Sequence, residues 1–232
     1  MDFELYIKGL RELFAARANP VDAVFMKRYM KDKFDFFGIK NPLRVAMTKP
    51  LLSRSVLPSR EELLTLVPLL WDQPEREIQY FTMTLVEKCL GDLAPDDYLL
   101  FRYMITNKSW WDTVDFIASH LVGKHMKHFP EQISGMVTSW RNSGDLWLQR
   151  ATLLFQLQYK GLTDAFLLES LILQYRVNTD FFMRKAIGWV LREYSKTDAQ
   201  WVMDLLDRHT LPSLSRREAM KWLQKRNIKS SL

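Results

Sequence analysis

Cysteine is nearly missing from this chain. Cys89 stands alone among 232 residues, which excludes an intramolecular disulfide framework and any zinc centre built on thiolates. A lone thiol fits a reducing compartment. Glycine and proline are sparse as well, eight and nine, so few breaks interrupt regular structure. No segment approaches the roughly 20 consecutive apolar residues that span a bilayer. The opening MDFELYIKGL lacks a cationic start followed by an apolar stretch, so the expectation is a cytoplasmic protein with no membrane partner. Neither a Gly-rich phosphate loop nor a nucleophile elbow occurs. His120, His125, His128 and His209 lack the Cys or carboxylate clustering of a zinc site, so no metal is expected.

What the chain does have is apolar and aromatic mass. With 47% hydrophobic residues, eight Trp, eight Tyr and fourteen Phe, it can bury a full core and is expected to form one domain over 1–232. Apolar residues recur at three- and four-residue steps, as in Leu153, Leu154, Leu157 and again in Leu167, Leu168, Leu171, Ile172, which is the helical period. Alternating strand patterns are scarce. Asn19-Pro20, Asn41-Pro42, Pro58-Ser59, Gln73-Pro74, Ala94-Pro95, Phe129-Pro130, Ser143-Gly144 and Leu211-Pro212 punctuate the helices. The formal charge of +6 fits a polyanionic partner, because Lys and Arg release condensed counterions from phosphates, but it equally serves solubility.

An internal echo appears when QRATLLFQLQYK (149–160), RKAIGWVLREYSK (184–196) and RREAMKWLQKRN (216–227) are superposed on their charged-Ala-apolar starts. Arg150 to Lys185 is 35 positions, Lys185 to Glu218 is 33, and 35 before Arg150 stands Asp115. An all-helical period of this length predicts helix pairs stacked as a solenoid, HEAT-like because the tetratricopeptide signature is missing. Equivalent repeat positions line up along one face, so Asp115, Arg150 and Lys185 are predicted neighbours. Trp111 lies one turn before Asp115 and Trp189 one turn after Lys185, which adds two indoles to that face. Two readings stand open on these residues alone. Either the tryptophans are core and Asp115 merely pairs with Arg150, or the row lines a nucleic-acid groove whose single carboxylate does the chemistry.

The segments KSWWDTVD (108–115), LWLQRA (146–151), KAIGWVLREYSKT (185–197), RYMK (28–31), LWDQPEREIQ (70–79) and LSRREA (214–219) resemble the AlkD-type DNA alkylation repair proteins, in that family's order and over nearly the whole chain. The Trp-Trp-Asp-Thr-Val-Asp run is the most specific of them. The resemblance implies an all-α superhelix of HEAT-like repeats with a concave basic face that grips double-stranded DNA. It implies a monofunctional alkylpurine DNA glycosylase of base excision repair that releases N3-alkyladenine and N7-alkylguanine, attacking the exposed backbone without a base-binding pocket. Carried over by position, Asp115 is the catalytic aspartate, Trp111 and Trp189 are the active-site tryptophans, and Arg150 is the DNA-gripping arginine, with Lys185 and Tyr29 on the DNA side. Gln158 departs from a lysine in one relative, which puts one backbone contact in question. A monomer without cofactor, in the bacterial cytosol or nucleoid, completes the expectation.

The chemistry suits those residue types. An alkyl group on N3 or N7 makes the purine cationic and a ready leaving group, so positive charge moves onto the deoxyribose as the glycosidic bond lengthens. A preorganised carboxylate stabilises that charge, and indole faces attract it. Lys185 is read as a phosphate contact rather than a Schiff-base lysine, so no lyase activity is expected. The readings from other classes are a non-catalytic helical-repeat scaffold and a helical repeat acting on RNA.

Overall fold

The computed structural model describes residues 1–226 and is built from helices, as the period predicts. Among those residues the β-type pairing is an isolated parallel bridge between Asp35 and Glu75. Asn227, the last residue of the third repeat segment, and the end of the expected 1–232 domain lie outside the described residues. The chain divides into two compact units, Met1–Lys108 and a second beginning at Ser109. No helix among the described residues is long and apolar enough to cross a membrane.

The first unit holds α1 (Phe3–Ala15), α2 (Pro20–Tyr29), α3 (Asn41–Thr48), α4 (Arg60–Trp71), α5 (Arg76–Lys88) and α6 (Tyr98–Thr106). Their starts follow local chemistry. The Asn19 side chain accepts from the backbone N–H groups of Val21 and Asp22 while Pro20 opens α2, where its missing N–H costs nothing. Ser59 and Glu62 form a reciprocal capping box on α4. α4 packs on α5 and α6 through Leu63, Leu66, Leu70, Trp71, Phe81 and Phe101, all fully buried. Glu77 on α5 accepts three backbone N–H bonds, from Phe37, Gly38 and Ile39 at 3.1, 2.9 and 3.0 Å, and so fixes the segment ahead of α3. Burial pushes its carboxyl up, and those N–H bonds pull the other way. Cys89 ends α5 and is buried, which pushes its thiol up to about 11. α2 buries none of its residues, and Val21, Phe25 and Tyr29 stand exposed along it at steps of four.

The second unit starts with α7 (Trp111–Phe116), which runs without a break through a π-helical segment (Ile117–Val122) into α8 (Gly123–His128). It continues with α9 (Ile133–Arg141), α10 (Leu146–Leu154), α11 (Ala165–Tyr175), α12 (Phe181–Tyr194), α13 (Ala199–Arg208) and α14 (Ser213–Lys225). Asp145, Asp164, Asp180 and Asp198 each cap the helix that follows, placing a carboxylate at the positive end of its dipole. α10 ends at Leu154, so Leu157 of the predicted apolar run falls in the turn beyond it. The repeat register holds in space: α7 packs on α10, α10 on α12, and α12 on α14. The last contact is closest at Gly188. A Cβ added there would lie 2.4 Å from Glu218 Cβ and 2.7 Å from the Ser215 carbonyl oxygen.

Candidate active site

Along that row of helices the repeat-equivalent side chains meet. From α7, both carboxylate oxygens of Asp115 accept from the Arg150 fork on α10, at 2.7 Å from Nε and 2.8 Å from Nη2. Arg150 Nη1 donates to the carbonyl oxygen of Phe182, in the first turn of α12. The pair is shielded, with side chains 14% and 5% exposed, so its Coulomb attraction is little screened by water. Burial pushes the Asp115 carboxyl up from the usual carboxylate range. The Arg150 hydrogen bonds and charge pull it down, and nearby Asp112 adds to the upward push.

Asp115 and Arg150 form part of a cleft of about 350 Å³ that is also lined by Trp111, Lys185, Trp189, Arg192 and Glu218, with Phe181 and Phe182. Trp111 and Trp189 are half-buried cleft walls; the indoles that fill the core are Trp71 in the first unit and Trp140 in the second. The neighbouring Trp110 is a support. It stands against Trp147 and Phe182 with ring centroids 5.7 and 5.1 Å away, and Trp147 meets Phe182 at 5.2 Å. This aromatic cluster ties the residue ahead of α7 to the first turn of α12, whose Phe182 carbonyl accepts from Arg150.

Five of the six predicted site residues therefore share one cleft: Asp115, Trp111, Trp189, Arg150 and Lys185. Tyr29 belongs to the first unit, at the end of α2, and its side chain is exposed. The ammonium of Lys185 lies 3.0 Å from Glu218 Oε1, and Arg192 lies 3.1 Å from Glu218 Oε2. Glu218 also receives Lys221 at 2.6 Å. Its carboxyl is held down to about 2, by the Lys221 bond first and the Lys185 bond after it, against the upward push of burial.

Past Asp115 and Trp189 the surface continues as an open groove of about 650 Å³ toward His120, Gln158 and Lys160. Two residues of the π-helical segment, Ser119 and His120, line it. Ser119 Oγ donates to the Asp115 carbonyl oxygen at 2.6 Å, and its own oxygen lies 3.0 Å from His120 Nδ1. The serine proton is committed to the carbonyl, so His120 Nδ1 must carry the hydrogen between them. His120 stacks on Phe116, centroids 4.3 Å apart and 4° from parallel, and its Nε2 lies 2.9 Å from Gln158 Nε2. Gln158, where the resemblance raised a question, thus contacts His120.

Sequence reasoning left three groups of this site without a role. Glu218 appeared only as a repeat position, although its spacing from Lys185 was the available signal. Arg192 follows Trp189 by three residues and Lys185 by seven, so it falls on the same helix face. Phe182 contributes a backbone oxygen, for which no side-chain pattern could stand. Among the described residues no group of three or more His, Cys, Asp or Glu side chains is placed to hold a metal ion.

Comparison with known proteins agrees with this architecture. The family model for DNA alkylation repair enzymes matches residues 10–223. A solved structure of a predicted DNA alkylation repair enzyme from Enterococcus faecalis superposes with a TM-score of 0.84 at 33% identity, covering 90% of this chain and 97% of that one. No curated protein matches the chain. The chain belongs to the family of DNA alkylation repair enzymes.

Proposed function

We propose that this protein is a monofunctional DNA glycosylase that hydrolyses the N-glycosidic bond of N3-alkyladenine and N7-alkylguanine in duplex DNA. The observation that carries the reading is the shielded carboxylate of Asp115, which shares a cleft with Trp111 and Trp189 and with the cations of Lys185 and Arg192. In the reaction the C1′–N9 bond breaks, its electron pair leaves with the cationic base as a neutral purine, and water adds to C1′ with loss of a proton. Asp115 stabilises the cationic sugar in between, and it offers an oxygen to orient the water. Trp111 and Trp189 attract the same positive charge with their ring faces, an interaction of about 0.5 to 2 kcal/mol apiece.

Arg150 cannot serve as a base, since guanidinium stays protonated. Three of its N–H donors are engaged by Asp115 and Phe182, so its first duty is to aim the carboxylate. A phosphate gripped by Arg150 takes the remaining donors. Lys185, with its side chain 37% exposed, is the more accessible phosphate contact of the two, and Tyr29 is proposed to contact DNA from the first unit. The protein acts as a monomer without cofactor.

The experiment is direct. Duplex DNA treated with a methylating agent is incubated with the protein, and released bases are separated by chromatography against Asp115→Asn. 3-Methyladenine and 7-methylguanine are expected, with the strand intact until alkali cuts the abasic site. Enzymatic strand cleavage would contradict the monofunctional reading. The geometry also allows a second reading, in which the Asp115 and Arg150 pair is purely structural and the protein binds DNA without chemistry. Binding to the methylated duplex with no base released above the spontaneous rate would establish that one.

A further inference from the structure

Glu218 holds an unusual position. It comes from α14, is almost fully buried, and receives three cations: Lys185 at 3.0 Å, Arg192 at 3.1 Å and Lys221 at 2.6 Å. Two of the three are on α12, at 185 and 192, two helical turns apart on one face with Trp189 between them. The carboxylate reaches them because Gly188 lets α14 press against α12. Any side chain at 188 would meet Glu218 Cβ and the Ser215 backbone. Lys185, Arg192 and Glu218 share the cleft with Asp115 and Arg150. One cleft therefore holds two carboxylates and three cations, sorted so that Asp115 takes Arg150 and Glu218 takes the other two.

That sorting has a chemical consequence. A carboxylate stabilises a developing cation in proportion to the negative charge it still presents, and each ammonium drawn onto it cancels part of that charge. Lys185 has the stem length and freedom to move within a cleft of about 350 Å³ that also contains Asp115. We propose that Glu218 is a positioning residue for excision, holding Lys185 and Arg192 on either side of Trp189 and away from Asp115, so that the catalytic carboxylate keeps a single cationic partner. The proposal rests on the glycosylase reading above.

The test uses the full chain and Glu218→Gln, which keeps the shape and removes the charge. Single-turnover excision of 7-methylguanine should slow on the order of tenfold, the scale of coupling between contacting charged groups. Affinity for undamaged duplex should rise a few-fold, because three cations lose their counter-charge. Rate and affinity moving in opposite directions is a signature that loosened packing does not give. Glu218→Asp should recover part of the rate, and Lys221→Met, which alters the partner outside the cleft, should excise like wild type. Acylation of Lys185, followed by peptide mass spectrometry, should be faster in Glu218→Gln.

Unchanged rate with unchanged Lys185 labelling would overturn the proposal. So would a parallel fall in rate, affinity and melting temperature, which would make Glu218 a structural residue. If the wild-type protein releases no base, the glycosylase reading fails by itself. The labelling and affinity arms then decide whether Glu218 holds Lys185 at all.

Discussion

Asp115 carries two duties that pull against each other. As the partner of a shielded guanidinium it aims and neutralises Arg150, at the expense of its own burial. As the carboxylate of the cleft it stabilises charge on the sugar, a contribution of roughly 2.7 to 4 kcal/mol. Asp115→Asn is thus expected to slow single-turnover excision about 100-fold, with rates compared at a temperature where both proteins are folded. A rate equal to wild type under those conditions would remove Asp115 from the chemistry. The pH profile gives an independent reading. Because burial places the folded carboxyl above its unfolded value, the proton is held more tightly in the native state. Its contribution to stability is full below the unfolded pKa and is lost as pH rises through the folded one, while the carboxylate that excision needs accumulates over that same interval. Excision should accordingly fall on acidification at a pH above the usual carboxylate range, and Asp115→Asn should lose that inflection. Glu218 behaves oppositely: its stabilising charge is present above the unfolded value and disappears only as pH drops toward about 2.

Helix limits were legible where Pro or Gly marks them, as at Asn19-Pro20 and Pro58-Ser59, whose polar side chains cap α2 and α4. The starts of α11, α12 and α13 carry no such mark and went unread, although Asp164, Asp180 and Asp198 cap them through their own side chains. The 35-residue spacing placed Asp115 opposite Arg150, since stacked repeats translate a position without turning it. What stayed hidden depends on backbone register and on how closely helices approach. The π-helical segment at Ile117–Val122 is a choice between i→i+4 and i→i+5 bonding that composition does not record, and it carries Ser119 and His120 of the groove. Gly188, which helix propensity alone counts as a weak point in α12, is the contact point with α14. Gly188→Ala tests this. Helix propensity favours Ala by about 1 kcal/mol, but the atoms in the way are a Cβ and a backbone carbonyl that cannot swing aside. Overpacking of about 1 to 3 kcal/mol should win, giving a lower melting temperature by calorimetry. A higher one would mean that α14 yields freely.

Over the whole molecule, the net positive charge that was ambiguous in the composition is tested through the proposed phosphate contacts at the cleft. Lys185 and Arg192 sit on the cleft, and phosphate contacts of this kind make affinity fall steeply with salt. Titrating undamaged duplex at increasing salt should give a linear log–log plot, and Lys185→Met should flatten its slope by about one unit. A slope that Lys185→Met leaves unchanged would move the phosphate contact elsewhere.

The solitary thiol noted at the outset has a practical corollary. Cys89 is 1% exposed and resists ionisation, so it is a poor nucleophile toward disulfide reagents. A cysteine introduced at Lys185 would then be the molecule's one reactive sulfur. A duplex carrying a tethered disulfide would be captured there without background, and the nucleotide it reaches would map where the DNA backbone runs past the cleft.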